Sequence, residues 1–269
     1  MNDTDHRVLR KASRIKARLA LLCEQFDQSL SVPVLRPDEV HKVRVILKKL
    51  RAWVRLQHSL DKRKRWKKLD RHLHALADQL NAARDVQVLH ERLAWLMTCL
   101  PVELERTAQG GPVASRLPPV PEPEPDRILS ARLAAMLAAA MPGFTKAHKL
   151  HKALRSSTRR AAHSFRKCIG QPPASTELHR FRRQVKQLSY QLDISLDETD
   201  MENRLRLAYC IRLGHQLGDL HDQVLLLNWL RENPANAQTL IDTCQKEIQH
   251  SCAVAMTTAK QVFPGVSTN

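Results

Sequence analysis

One stretch of this sequence carries five basic residues at helical spacing. His41, Arg44, Lys48, Arg51 and Arg55 follow one another at steps of three, four, three and four residues. Such steps place all five side chains along one side of an α-helix. Residues 40–59 contain no Asp or Glu, so no acid within the segment neutralises them. Arg can hold two anionic oxygens with its planar fork and Lys adds a point charge, so this row predicts a site for a polyanion.

A second stretch repeats the pattern in shorter form. His179, Arg182 and Lys186 match the first three positions, whereas Ser189 and Asp193 stand where the first stretch has Arg51 and Arg55. Arg183 lies in the neighbouring row and could partly compensate for the missing charge. The recurrence favours a ligand site over a merely solvated helix face. We expect the first stretch to contribute more to binding than the second.

Two further basic runs lie at 62–71, with seven Lys or Arg, and at 146–167, with eight. Like charges four residues apart weaken a helix slightly, so each run is either a solvated face or part of a ligand site. Both interpretations stay open. The candidate binding residues are His41, Arg44, Lys48, Arg51, Arg55, Lys67, Arg71, His179, Arg182, Arg183, Lys186 and Arg204.

The elements that must position these side chains are helices. Val43, Leu47, Leu50 and Val54 form an apolar stripe beside the first basic one, which puts the cations at the margin of a packed face. Phe181, Val185, Leu188 and Leu192 do the same for the second. The apolar periodicity predicts helices over 4–30, 37–59, 62–80, 82–99, 128–140, 143–169, 175–194, 201–217, 219–232 and 235–262.

Composition agrees with an all-α, basic protein. Aromatic residues make up 4% of the 269 residues, glycines number seven, and the net charge is +17, which attracts polyanions. The longest apolar runs are too short to cross a bilayer, and residues 1–6 do not resemble the start of a signal peptide. The six cysteines form no CxxC pair and are expected to be reduced. These features predict a cytoplasmic protein without a membrane segment.

The two halves of the chain resemble each other. Residues 41–50 align with 179–188 and residues 76–85 with 213–222, at offsets of 138 and 137. Prolines concentrated in the intervening segment disfavour helix there. We therefore predict an internal duplication: a first helical bundle at 1–106, a Pro-rich linker at 107–127 and a second bundle at 128–269.

The doubled H-x-x-R-x-x-x-K pattern, at His41/Arg44/Lys48 and His179/Arg182/Lys186, resembles the CHAD domain family. The segment 80–86 (LNAARDV) is similar to a second motif of that family, and 217–222 (LGDLHD) is its copy. The resemblance implies two pseudo-symmetric antiparallel helical bundles that form a basic central groove or pore. It also implies non-enzymatic binding of inorganic polyphosphate, with a possible role at polyphosphate granules.

Nucleic acid is the alternative partner, favoured by charge alone. Binders of single-stranded nucleic acid usually offer aromatic platforms, whereas the four tryptophans here fall one per helix. Trp66 lies inside a basic run and leaves this alternative open. The oligomeric state is left undetermined.

An enzyme acting on phosphate chains is disfavoured. The sequence has no P-loop and no carboxylate cluster for Mg²⁺, and prolines separate the acids at 122–126. The histidine pairs at 72/74 and 148/151 lack partners for a metal, so neither metal nor cofactor is expected. Asp85 and Asp222 are predicted at helix starts or breaks, where they would cap the helix or pair with Arg84.

His41 and His179 head the two stripes. Each is either a phosphate ligand or a neutral imidazole that holds a helix start in register. In both cases the neighbouring Arg and Lys side chains are expected to lower the histidine pKa in the free protein.

Overall fold

The computed structural model describes residues 3–98, 113–140, 149–196, 200–234 and 237–266, with side chains from residue 12 onward. Within these ranges the chain is helical apart from connecting segments, which confirms the all-α prediction. The start of the helix predicted at 143–169 and the first residues of the predicted linker lie outside the described residues. The helices are α1 (Asp3–Ser29), α2 (Pro37–Leu60), α3 (Lys64–Gln79), α4 (Asn81–Thr98), α5 (Arg127–Ala140), α6 (Leu150–Cys168), α7 (Thr176–Ser195), α8 (Met201–Glu232) and α9 (Gln238–Val262).

Local sequence signals fix where the two histidine-bearing helices begin. Pro37 occupies the first turn of α2, and the carboxylate of Glu39 accepts a hydrogen bond from the backbone N–H of Arg36 at 2.8 Å. At α7, the hydroxyl of Ser175 accepts from the backbone N–H of Leu178 at 3.2 Å. Each cap places its histidine about one turn into the helix.

Helix α8 differs from the prediction. The sequence predicted two helices, 201–217 and 219–232, but the chain runs as one helix through Gly218. A glycine inside a helix costs about 1 kcal/mol relative to alanine, which makes it a plausible breaking point. Gly214 and Gly218 are nevertheless buried, and the side chain of Lys186 lies over both. Tertiary packing therefore overrides the local preference. In the first half the chain does change helix, at Leu80 between α3 and α4.

Helices α2 and α7 pack against each other in the middle of the molecule. Nε2 of Gln191 on α7 donates a buried hydrogen bond of 3.0 Å to the carbonyl of Ala52 on α2. At the rim of the same contact, Nζ of Lys49 lies 3.3 Å from a carboxylate oxygen of Asp193. Helix α3 packs on α2, α8 packs on α7, and α4 crosses to α8. The two histidine-bearing helices, α2 and α7, are thus held side by side.

The predicted apolar stripes form the core between these helices. Val43, Leu47, Leu50 and Val54 are fully buried, and so are the apolar residues predicted on α7, among them Phe181 and Val185. Buried residues from both halves of the chain join one contiguous cluster. The cationic stripes lie along the edge of this core, as the angular offset between the stripes predicts.

The described part of the Pro-rich segment lies on the first half of the chain. It avoids α-helix, as predicted, and contains a short 3-10 turn at Ala114–Arg116. The backbone N–H of Leu35 donates to the carbonyl of Pro123 at 3.1 Å, and Nε2 of His90 donates to that of Pro118 at 2.8 Å. The helix that follows, α5, packs on α1 and α3. The division into two duplicated bundles stays a prediction. Across the described ranges, every helix is too short or too polar to cross a membrane.

Candidate functional site

The packing of α2 on α7 brings the heads of the two basic stripes together. His41, Arg44 and Lys48 from α2 and Arg182 and Lys186 from α7 act on one another electrostatically, and we call these five residues the central cluster. The side chains of both arginines and both lysines are half-buried. Arg84, from α4, adds a fifth cation to the two arginines and two lysines, and its charge acts on this cluster.

The protonated, charged form of both lysines in the central cluster is destabilised. Burial and, after it, the charges of Arg44, Lys186 and Arg182 lower the pKa of Lys48 to about 7. Burial and the charge of Arg182 lower the pKa of Lys186 to about 8. A free lysine has a pKa near 10.4, so protonating the empty site costs free energy. An anion bound at this position would remove that cost.

Two carboxylates lie beside the central cluster. Burial raises the pKa of Asp85 and of Asp222, and the charges of Arg44 and Arg182 respectively oppose that rise. The predicted capping role is wrong for Asp222, because this residue lies in the middle of α8 rather than at a break. Asp85 lies in the second turn of α4, past the capping position. Each aspartate supplies a counter-charge to the arginine of its own half of the chain.

Sequence analysis did not find three residues of this site: Arg84 as a cluster neighbour, Arg92 and His221. Arg84 and His221 occupy the same position in the two copies of the duplicated segment, one residue before Asp85 and Asp222, and that alignment could have identified them. Arg92 on α4 forms an ion pair with Asp219 on α8 and lies 4.0 Å from Asp222. The local sequence around Arg92 carries no signal for this contact, because the contact depends on how α4 crosses α8.

The pKa values of His41 and His179 are both shifted in the expected direction, downward. The pKa of His41 is lowered by burial and then by Arg84 and Lys48, and that of His179 by burial and then by Arg183 and Arg182. The prediction of a lowered pKa is confirmed, although burial is the largest single cause. The ring of His179 lies 5.3 Å from the ring of His221 on α8. Burial and the nearby cations lower the pKa of His221 to about 3, so this ring is neutral at physiological pH.

The distal part of the first stripe is not free of acids. Nε of Arg51 and Nε of Arg55 bind the two carboxylate oxygens of Asp70, on α3, at 3.0 and 3.1 Å. Residues 40–59 lack acids, but the fold supplies one from the next helix. On α7, Asp193 is in turn paired with Lys49. The contrast between a complete first stripe and a depleted second one is therefore smaller in the folded protein than in the sequence.

The remaining candidates lie on helix surfaces. Lys67 and Arg71 are exposed on α3, Arg204 is exposed in the first turn of α8, and Arg183 is exposed next to His179. None of these four side chains belongs to the central cluster, whose arginines and lysines are half-buried. The binding role predicted for them stays a prediction.

The tryptophans divide into core and surface. Trp66 is fully buried and packs edge-to-face on Trp53, with ring centroids 5.5 Å apart. The guanidinium of Arg65 lies 4.6 Å from the Trp66 ring. Trp66 therefore belongs to the core despite its basic surroundings, whereas Trp95 is 39% exposed.

The glycines of α8 allow a stability prediction that separates packing from ligand binding. A Cβ added at Gly218 would lie 3.3 Å from Nζ of Lys186, whereas one added at Gly214 would meet Cγ of Lys186 at an ordinary 3.7 Å. Gly218→Ala and Gly214→Ala are each expected to raise the free energy of unfolding by up to about 1 kcal/mol, through helix propensity. Only Gly218→Ala displaces the ammonium group, so it alone is expected to weaken polyanion binding severalfold. Urea unfolding and binding titrations check this, and equal effects of both variants on binding would contradict it.

The described ranges contain nine α-helices, and two basic helices, α2 and α7, pack against each other. This arrangement defines an all-α protein with a basic site, and comparison with known proteins identifies its family. The chain belongs to the CHAD domain family, whose model matches residues 17–231. The crystal structure of the CHAD domain from the plant Ricinus communis is similar in fold, with a TM-score of 0.61 and 17% sequence identity. That match covers 94% of this chain and 91% of the other. No curated protein matches the chain in sequence.

Proposed function

We propose that this protein binds inorganic polyphosphate along the α2–α7 contact and does not transform it chemically. The observation that carries the proposal is the central cluster, in which burial lowers the pKa values of Arg44, Lys48, Arg182 and Lys186. The charge of Arg182 adds to this effect on the other three residues. Charged side chains are destabilised in this site when it is empty, and closely spaced anionic oxygens of a ligand would stabilise them. Membership of the CHAD family supports the same ligand.

Polyphosphate fits the site better than nucleic acid does. A phosphate chain offers charge at every unit and no bases, so it needs no aromatic platform. Trp53 and Trp66 are buried and unavailable for stacking, which favours polyphosphate. The net charge of +17 and the exposed ring of Trp95 favour nucleic acid as the second candidate.

A competition experiment distinguishes these two ligands. Labelled single-stranded RNA and long-chain polyphosphate are each bound to the protein and displaced by the other. We expect polyphosphate to displace RNA at a much lower concentration of phosphate groups than RNA needs to displace polyphosphate. Displacement at equal phosphate concentrations in both directions would indicate a site for polyanions in general.

Binding without chemistry is also part of the proposal. Asp85 and Asp222 face arginines, and within the described ranges the His, Cys, Asp and Glu side chains form no group of three or more that could hold a metal ion. Incubation with polyphosphate and Mg²⁺, followed by measurement of chain length and free phosphate, tests this part; release of phosphate would contradict it. We further propose that polyphosphate binding places the protein at polyphosphate granules in the cytoplasm, which a fluorescent fusion would show.

Affinity is expected to depend on pH through Lys48 and Lys186. A bound anion raises the pKa of each lysine from about 7 and about 8 toward its ordinary value, so the complex holds more protons than the free protein above pH 7. By linkage, the state that holds more protons is favoured as pH falls, and affinity should decrease as pH rises from about 7 to 9. The limit is about tenfold per pH unit for each lysine. Calorimetry in two buffers of different ionisation enthalpy measures the proton uptake.

Two double variants show whether the lysines or the histidines cause this pH dependence. Lys48→Met/Lys186→Met should flatten the profile between about pH 7 and 9. His41→Gln/His179→Gln should change it between about pH 8 and 6, where imidazole titrates, if the histidines contact the ligand. Long chains are used because their few end groups contribute little titration of their own. A lysine variant with the wild-type profile would rule out this explanation.

A further inference from the structure

A cleft of about 310 Å³ opens between the start of α7 and the middle of α8. One part of its wall is apolar and is formed by Leu178, Leu217, Leu220 and Val224. The other part is polar and is formed by His179, Arg182, His221 and Asn228. A largely apolar wall with a few polar groups is typical of sites for small organic ligands. A bare phosphate chain would gain nothing from the apolar part.

The imidazole of His221 is suited to a neutral partner. It is held uncharged first by burial and then by the charges of Arg182, Lys186 and Lys48 on α7 and α2; His179 acts in the same direction when it is protonated. A neutral imidazole presents one N–H donor, one acceptor and a flat face. Its ring lies 5.3 Å from that of His179, so two rings border the same cleft. Donor, acceptor and flat faces together match a heterocyclic base.

Arg182 joins the cleft to the central cluster. Arg182 lines the cleft, and its charge acts on Lys48 and Lys186 in the central cluster. The structure gives its buried Nε no hydrogen-bond partner among the described residues. The first phosphate of a nucleotide whose base and ribose occupy the cleft would lie toward this guanidinium, and further phosphates would extend toward the lysines.

The cleft belongs to the second half of the chain. In the duplicated segment, Arg84 stands where the second half has His221, and Arg84 hydrogen-bonds Glu91 at 3.1 Å. The cleft is found where the second half of the chain has a shorter, neutral histidine in place of the longer arginine. The difference is of the kind expected if the second half of the chain binds a group other than phosphate.

We propose that this cleft binds the nucleoside part of a nucleoside polyphosphate, with the phosphates extending over Arg182 onto the central cluster. The inference rests on the proposed function, because its phosphates use the same cations as inorganic polyphosphate. It adds nucleoside polyphosphates as a ligand class, which the cations of the central cluster alone would not distinguish from inorganic polyphosphate.

Calorimetric titration of the full chain with ATP, GTP, CTP and tripolyphosphate tests the proposal. All four carry three phosphates, and the nucleotides are no more highly charged than tripolyphosphate, so electrostatics alone gives them no advantage. Stacking of one base on aromatic rings is worth enough to raise affinity about tenfold. We expect at least one nucleotide to bind about tenfold more tightly than tripolyphosphate. Nucleotides that bind no better than tripolyphosphate would overturn the proposal.

Variants that fill the cleft supply the second test. Val224→Trp fills it from within, and Asn228→Trp fills it from the exposed rim of α8, where folding is least at risk. Leu205→Trp is the matched control, since Leu205 is exposed on the same helix and does not line the cleft. The cleft variants should lose the nucleotide advantage and keep tripolyphosphate affinity, whereas the control keeps both. An advantage that survives both cleft variants would place the base elsewhere.

Long-chain polyphosphate, titrated in the same series, separates the two proposals. Loss of its binding in the wild-type protein would refute the proposed function. The difference between nucleotide and tripolyphosphate would still test the cleft.

Discussion

Polyphosphate affinity is expected to fall roughly 100- to 1,000-fold when monovalent salt is raised from about 50 to 200 mM. A flexible polyanion releases counterions as its charges are neutralised, so the logarithm of the binding constant falls linearly with that of the salt concentration, with a slope of about −0.7 per neutralised charge. The central cluster and its surroundings supply Arg44, Lys48, Arg84, Arg92, Arg182 and Lys186. Engagement of all six would give a slope of about −4.

Single variants make this test specific. Arg182→Ala should make the slope less steep by about 0.7, whereas Lys246→Ala, which removes an exposed charge on α9, should leave it unchanged. Fluorescence anisotropy at several salt concentrations gives the slopes. A nearly flat dependence in the wild-type protein would mean that binding is not mainly electrostatic.

The second large effect concerns which half of the site contributes more. Arg182→Ala/Lys186→Ala is expected to weaken polyphosphate binding roughly 100-fold, at about 1.5 kcal/mol or more for each lost charged contact. Arg44→Ala/Arg51→Ala is expected to cost about tenfold, because Arg51 already shares its charge with Asp70. This order is the opposite of the one that the sequence predicts.

The control for this comparison removes a lysine and an arginine from a surface. Lys152→Ala/Arg155→Ala changes two exposed residues of α6 and lowers the net charge by the same amount. It should leave affinity within about threefold of wild type at moderate salt, where distant exposed charges are screened. It also tests whether the basic run at 146–167 is a solvated face. Equal losses in all three double variants, with folding intact by circular dichroism, would show that only total charge matters.

Helical periodicity by itself determined much of this protein. The spacing of Val43, Leu47 and Leu50 predicted a buried face, and the spacing of Arg44 and Lys48 predicted cations at its edge; both follow from 3.6 residues per turn. The caps of α2 and α7 are likewise local, since each joins residues within three positions of the helix start. Gly218 shows the limit of prediction from local sequence. Its low helix propensity is a local property and predicted a break, whereas its burial against Lys186 depends on how α8 packs on α7.

Only the tertiary structure decided the electrostatic environment of each charge. Asp70 reaches Arg51 and Arg55 from another helix, and Arg92 reaches Asp219 across a contact between distant parts of the chain. The depressed pKa values of Lys48 and Lys186 arise because α2 and α7 bring them near each other in a half-buried place. Coulombic energy and desolvation depend on distance in space and on burial, and the spacing of residues along one helix specifies neither.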